Sequence, residues 1–306
     1  MAASIHTRGL SKAYRSGKTT TAALRGVSLG VAPGEFAALI GPDGAGKTTL
    51  IKILCGMIPF DGGTVEILGV SLPGGASAIK HRIGYLSQRF ALYGNLTVEE
   101  NVRYFARVFG VADYGARMRR LLDAVDLARF SDRLAKNLSG GMKQKLGVVC
   151  GLIHSPEILF LDEPTTGVDP VSRRDLFDVV EEMVGAGLTV FMATAYMDEA
   201  ERAARIIMCH DGRVIADGTA ATLAVESGCT AYDVISADPE RVLGAFDSVA
   251  GVRCANAVGS AVHLVTDAAI SESDLRSRLG GFDARIARPR LTMEDLFVGR
   301  VARETT

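Results

Sequence analysis

The apolar residues of this chain fall into short continuous runs, and polar, glycine-rich turns separate them. The first thirty residues alternate weakly and end in VSLGV, which reads as strand. APGE then makes a turn, FAALIG is a short apolar run, and residues 41–49 form a glycine-rich loop. TLIKILCGM follows with helical spacing. Strand, loop and helix in that order predict an α/β nucleotide-binding core. Residues 95–130 are charged and amphipathic and read as helices. PEILFL (156–161), LTVFMA (188–193) and RIIMC (205–209) read as buried strands, with a helix over 170–184 between the first two. Asp211-Gly212 before RVIADG signals a hairpin.

The texture changes after about residue 222. AYDVISA reads as strand and PERVLGAF as helix; VRCANA and SAVHLVT form a strand pair, SESDLRSRL a helix and ARIARP a strand. This β-α-β-β-α-β order predicts a small ferredoxin-like α+β module. A last helix, LTMEDLFVGRVA, starts at Thr292 with Asp295 three residues on, a capping pattern. The fold class is therefore α/β with a C-terminal accessory module. The expected domains are residues 1–222, including a helical subdomain at about 89–155, and residues 223–306.

Composition narrows the function classes. A formal net charge of −1 supplies no basic field for gripping nucleic acid. The five cysteines (Cys55, Cys150, Cys209, Cys229 and Cys254) form no C-x-x-C pair, which argues against a zinc ribbon and fits free thiols in a reducing cytosol. Mean hydropathy is +0.20, yet no apolar run approaches the roughly 20 residues of a membrane span. The N-terminus lacks a long apolar signal region. A buried parallel sheet, or a face docked on a partner, accounts for the apolar excess.

Three segments carry chemistry. Gly41-Pro42-Asp43-Gly44-Ala45-Gly46-Lys47-Thr48-Thr49 fits G-x-x-x-x-G-K-[ST]. Glycines let backbone N–H groups close on phosphate oxygens, and the helix N-terminus adds its dipole. Lys47 supplies charge to the β- and γ-phosphates, and Thr48 is a hard oxygen ligand for Mg²⁺. Second, Ile158-Leu-Phe-Leu-Asp162-Glu163 is an apolar strand ending in two acids. Asp162 at the strand's carboxyl end suits Mg²⁺ through water, and Glu163 suits polarisation of an attacking water. Third, Asn137-Leu-Ser139-Gly140-Gly141-Met-Lys-Gln144-Lys precedes a helical run, 23 residues before Asp162. Ser139 is an N-cap type and the glycines expose backbone, so this is a second anion-binding helix N-terminus. One bound ATP has one γ-phosphate, so a second cradle implies a second subunit facing it.

With these motifs, residues 4 to about 222 resemble the ATP-binding subunit of ABC transporters: GPDGAGKTT resembles the family's Walker A loop, ILFLDEP its Walker B strand and LSGGMKQK its signature. The resemblance implies ATP and Mg²⁺ as ligands. It implies that Tyr14 in SKAY stacks on adenine, that Gln88 in GYLSQRF touches Mg²⁺ and couples to a membrane subunit, and that Asp169 in TTGVDP crosses a dimer interface. Glu163 and Gln88 are then the catalytic pair, and Thr48, Gln88 and Asp162 the metal set. Finer similarity is to the drug-exporter, ABC-2-type branch, through LYGNLTVEENVRYFARVFG and PRLTMEDLFV. It implies a cytoplasmic subunit peripheral to the membrane, working with an integral permease and with a like or unlike ATPase subunit.

Two departures stand out. Asp43 occupies a place where the family usually has Asn or Ser. Ala195, in MATAYMDEAER, occupies the place of the usual His; His6, His81, His154, His210 and His263 lie elsewhere. Either an unlike partner supplies an intact site, or Thr194 or Tyr196 fills in. A nucleic-acid-processing ATPase is the rival class. Only 92 residues separate Lys47 from Ser139, without sustained heptads, which leaves no room for the long coiled coil of repair members. The segment after Gln88 (Phe90, Leu92, Tyr93, Leu96) is expected to expose apolar residues to a membrane partner.

Overall fold

The computed structural model describes residues 3–17, 19–88, 92–280 and 283–304. An antiparallel sheet opens the chain: β1 (Ile5–Ser16), β2 (Thr19–Val31) and, after the first nucleotide-type helix, β4 (Gly62–Ile67) and β5 (Val70–Leu72), in the order β2-β1-β4-β5. The central sheet has the order β10-β9-β3-β8-β7-β6. Its strands are β3 (Phe36–Ile40), β6 (Ile83–Leu86), β7 (Ile158–Asp162), β8 (Thr189–Thr194), β9 (Arg205–His210) and β10 (Arg213–Gly218). All neighbours are parallel except β9–β10, the hairpin expected at Asp211-Gly212.

Parallel sheets are covered on both faces, and successive side chains alternate between them. Ile158 and Phe160 of β7 pack with α1 (Lys47–Leu54) and the antiparallel sheet. Leu159 and Leu161 pack on the other face, with α3 (Val98–Val108), α4 (Gly115–Ala124), α5 (Gly140–Leu152) and α6 (Pro170–Gly185). This two-faced burial accounts for much of the chain's positive hydropathy. Short helices α2 (Ala76–Ile79) and α7 (Met197–Ala200) complete this part. Thr97 starts α3 with a capping box: its hydroxyl accepts from the Glu100 amide, and the Glu100 carboxylate accepts from the Thr97 amide.

The second unit contains β11 (Cys229–Ser236), α9 (Pro239–Phe246), β12 (Val252–Val258), β13 (Ala261–Asp267), α10 (Glu272–Leu279) and β14 (Ala284–Ala287). Its antiparallel order, β12-β13-β11-β14, has the β-α-β-β-α-β topology. At residues 222/223, where the boundary was expected from sequence, α8 (Ala220–Ser227) is continuous, and it ends at left-handed Gly228. Leu223 of α8 is buried in the cluster around the central sheet.

The last helix, α11 (Met293–Glu304), joins the two units. Met293, Leu296 and Phe297 are buried in the cluster of the central sheet, and Arg300 Nε donates to Ile215 O at 3.0 Å. Its other side meets the accessory sheet, where Arg253 Nη1 donates to Gly299 O at 2.8 Å. His263 lies between Asp233 (2.6 Å) and Asp295 (2.9 Å). Burial opposes a charged ring there, but its hydrogen bonds to both carboxylates outweigh that and hold the imidazole above its ordinary value. Thr292 and Asp295 form the reciprocal cap expected from their spacing. Among the described residues, no helix is long and apolar enough to cross a membrane.

Candidate functional site

Because β3, β6, β7 and β8 are parallel neighbours, their carboxyl ends open on one edge of the sheet, where ligands sit in open α/β folds. The loop of residues 41–46 leaves β3, Gln88 follows β6, Asp162 and Glu163 end β7, and Thr194 ends β8. Below this edge lies an open cleft of 460 Å³. Tyr14, Ala23, Asp43, Gly44, Gly46, Lys47, Thr48, Thr49, Gln88 and Glu163 line it.

Backbone crowding explains two glycines of the loop. A Cβ on Gly41 would sit 2.1 Å from Cys209 O, and one on Gly46 would sit 2.4 Å from Ala23 O. Gly46, with φ of +100°, also starts α1 without a side-chain cap, so the first amides of α1 are left for a ligand. Pro42 and Asp43 are exposed at the rim and Ala45 is buried. Cys209 supports the loop from beneath: its Sγ donates to Ala45 O, and burial pushes the thiol up to about 11.

Lys47 is 4% exposed. Its Nζ donates to Gly41 O (2.7 Å) and Pro42 O (3.1 Å) and lies 3.5 Å from Glu163 Oε1. A buried ammonium held only by oxygens is poised to exchange them for phosphate. Thr48 Oγ1 donates to Asp162 Oδ1 at 3.0 Å. Burial holds the Asp162 carboxyl above its ordinary value, against the pull of the Thr48 and Tyr85 hydroxyls. Hydroxyl and carboxylate oxygens together are a hard donor set that fits Mg²⁺. Tyr14 Oη lies 3.5 Å from Thr49 Oγ1, and the ring is 45% exposed at the mouth of the cleft.

Glu163 is held from several sides. Gln88 Nε2 donates to its Oε2 at 2.9 Å and Thr166 Oγ1 approaches at 3.4 Å. Its φ is +50°, a left-handed conformation that costs a non-glycine residue about 1–2 kcal/mol. Such strain gathers at functional sites. The Glu163 amide donates to Ala193 O at 2.8 Å, which pins β7's exit to β8.

Ser139, Gly140, Gly141, Gln144 and Asp169 do not line this cleft. Ser139 caps α5, its hydroxyl accepting from the Met142 amide at 3.3 Å. Only one of the two glycines exposes its backbone. Gly140 is open, but Gly141 is buried against α6, where a Cβ would sit 2.3 Å from that of Ser172. Gly141 is needed for close packing of the two helices, which the sequence pattern did not signal. Asp169 caps α6, and amide bonds from that first turn lower its carboxyl below the ordinary range.

The two residues expected to fill in at Ala195 have different surroundings. Thr194 Oγ1 is buried, donates to Glu199 Oε2 (2.7 Å) and accepts from the Tyr196 amide (3.0 Å). The Tyr196 ring lies beneath the Arg173 guanidinium, 4.5 Å away. Glu199 escaped the sequence reading, since an acid in an exposed-looking helical segment gives no sign of burial. In the segment after Gln88, Tyr93 is exposed, but Leu92 and Leu96 are half-buried, Leu92 against the central core. Phe90 lies outside the described residues.

A phosphate-loop cleft beneath parallel strand ends, with a hydroxyl–carboxylate pair and a strained glutamate, defines a P-loop nucleoside-triphosphate-binding protein. The profile of the ABC transporter family matches residues 24–166. The daunorubicin resistance ATP-binding protein DrrA3 of Streptomyces coeruleorubidus is 42% identical over 216 residues, 70% of this chain and 68% of that one. The probable multidrug ABC transporter ATP-binding protein YbhF of Escherichia coli is 40% identical over 203 residues, 66% of this chain. The chain spans only 35% of YbhF's length. The dimeric structure of the bacterial ABC transporter cassette MJ0796 superposes with a TM-score of 0.65 at 27% identity, covering 70% of this chain and 98% of that one. The chain belongs to the ABC transporter ATP-binding family.

Proposed function

We propose that this protein is the ATP-binding and hydrolysing subunit that powers export of a substrate through a separate membrane-spanning permease. One observation carries the reading. The cleft holds a phosphate loop and a tethered glutamate, but the Ser139–Gly141 segment lies off its walls. A second ATPase subunit, like or unlike, must then face the cleft and supply that segment, an arrangement that a two-fold axis provides twice. Export is supported by the relatives, which include resistance proteins and a Nod factor export ATP-binding protein of Burkholderia thailandensis. The chain would sit on the cytoplasmic face, held there by the permease.

The residues fit the chemistry in named roles. Tyr14 stacks on the base, and residues 41–49 with Lys47 hold the phosphates. Thr48, Asp162 and Gln88 would hold Mg²⁺, which when bound offsets charge on the phosphate oxygens. Glu163 takes the proton of a water as its oxygen attacks the γ-phosphorus; the bond to the bridging oxygen breaks, and ADP and phosphate leave. The partner's Ser139–Gly141 segment steadies the γ-phosphate in trans, and Asp169 faces the seam. Tyr93, Tyr104 and Val108 are exposed together on one side of the helical subdomain and form the docking face for the permease. Tyr93→Cys is expected to cross-link to cytoplasmic loops of the cognate permease. No cross-link in an assembled, transporting complex would sink the docking assignment.

Ala195 favours a second reading, a weakly hydrolysing member of an unlike pair. A methyl group neither donates nor accepts, and the Thr194 hydroxyl is already engaged by Glu199 and the Tyr196 amide. Loss of one positioned polar contact costs about 3–4 kcal/mol, a hundredfold or more. The purified chain alone should therefore turn over slowly at saturating Mg-ATP. Ala195→His, or an unlike ATPase partner, should raise the rate tenfold or more. Several turnovers per second from the unaltered homodimer, with no gain in Ala195→His, would show local compensation instead.

A further inference from the structure

We propose that Glu199 is a positioning residue for ATP hydrolysis: its buried carboxylate ties the loop carrying Glu163 to the segment carrying Ala195 and to the helix capped by Asp169. The proposal rests on the hydrolytic reading above. Glu199 lies on α7 and is 2% exposed. Its Oε1 accepts from the Thr165 hydroxyl, and its Oε2 accepts from the Thr194 hydroxyl at 2.7 Å. Arg173 Nε of α6 lies 3.3 Å from Oε1, an ion pair rather than an aligned hydrogen bond. Thr165 and Thr194 are fully buried. Among the described residues, the two hydroxyls and the guanidinium are what compensates the buried carboxylate.

The three tied segments are the ones that hydrolysis uses. Thr165 is two residues beyond Glu163, whose left-handed backbone has one amide bond to β8. Thr194 precedes Ala195 and also holds the Tyr196 amide. The Arg173 amide donates to Asp169 O at 2.9 Å, and its guanidinium covers Tyr196. Without an imidazole at 195, Glu199 is the side chain that ties the loop after β7 to the end of β8. Its hydrogen bonds and ion pair among the described residues go to Thr165, Thr194 and Arg173 rather than to the 41–49 loop, so its loss should leave nucleotide affinity alone. Small misplacement of a reacting group costs rate steeply.

The test compares Glu199→Gln, Thr165→Val and Thr165→Ser in the full chain. Glu199→Gln keeps the shape but loses the charge that holds Arg173 and one acceptor. Thr165→Val removes one donor at constant volume, and serves if Glu199→Gln does not fold. We expect kcat to fall about tenfold or more in both. KM for ATP and the affinity for a fluorescent ATP analogue should stay within about twofold. Thr165→Ser should recover most of the lost turnover. Unchanged kcat, or a fall matched by weaker nucleotide binding, would overturn the proposal. If the unaltered chain binds Mg-ATP but never turns over, even with a partner, the hydrolytic reading fails separately. Amide exchange then decides the tie: faster exchange at Glu163 and Tyr196 in Glu199→Gln supports it, and unchanged exchange rejects it.

Discussion

Glu163→Gln is expected to lower ATP turnover by a hundredfold or more while nucleotide still binds. General base catalysis contributes about 10²–10⁴ in rate, and an amide cannot take a proton at neutral pH. The variant is nearly isosteric. Its side-chain oxygen can still accept from Gln88 Nε2, now at 2.9 Å from the carboxylate, so the cleft should keep its shape. The ion pair with Lys47 is lost, which frees that ammonium for phosphate rather than weakening the grip. The binding energy of ATP is then no longer discharged by hydrolysis, and a closed dimer should accumulate. Phosphate release and the dimer fraction by size-exclusion chromatography, both with Mg-ATP, measure the two effects. Turnover within threefold of the unaltered chain, compared in the most active pairing available, would remove Glu163 from the role of base.

Lys47→Ala should erase the stabilisation that Mg-ATP confers. A ligand at a hundred times its dissociation constant, bound only to the folded state, stabilises by about 2.7 kcal/mol. For a unit the size of the ATPase part, that is a rise in Tm of roughly 5–10 °C. Among the described residues that line the cleft, Lys47 is the one cationic side chain, and its replacement removes the charge that offsets Glu163 and Asp43 beside the phosphates. Removing a buried cation beside Glu163 also lowers the Tm of the apo form, so the shift is read within each variant, with and without nucleotide. An ATP-induced shift of unaltered size in Lys47→Ala would refute the assignment.

Contiguous structure was legible in the sequence because its demands are local. The 41–49 loop needs glycines where backbone meets backbone, and the observed approaches of Gly41 to Cys209 and Gly46 to Ala23 are that demand. FAALI, ILFLD and TVFMAT are apolar at every step because a central parallel strand is covered on both faces. The Thr292–Asp295 cap spans three residues and needs no distant partner. The accessory module followed from the order of its elements for the same reason.

Tertiary structure decided what depends on strand order. Gln88 and Glu163 are 75 residues apart, and they meet because β6 and β7 are parallel neighbours. Strand order is set by which faces bury one another across the whole sheet, and no local pattern records it. The burial of Gly141 against Ser172 comes from the crossing of α5 and α6, and that of Glu199 from the convergence of β7, β8 and α6. The α8 helix over the expected boundary, and α11 between the two units, were likewise set by packing. Local residues specify which chemistry is available; the long-range pairing of strand ends specifies which groups share it, because burial energy is summed over contacts between segments distant in the chain.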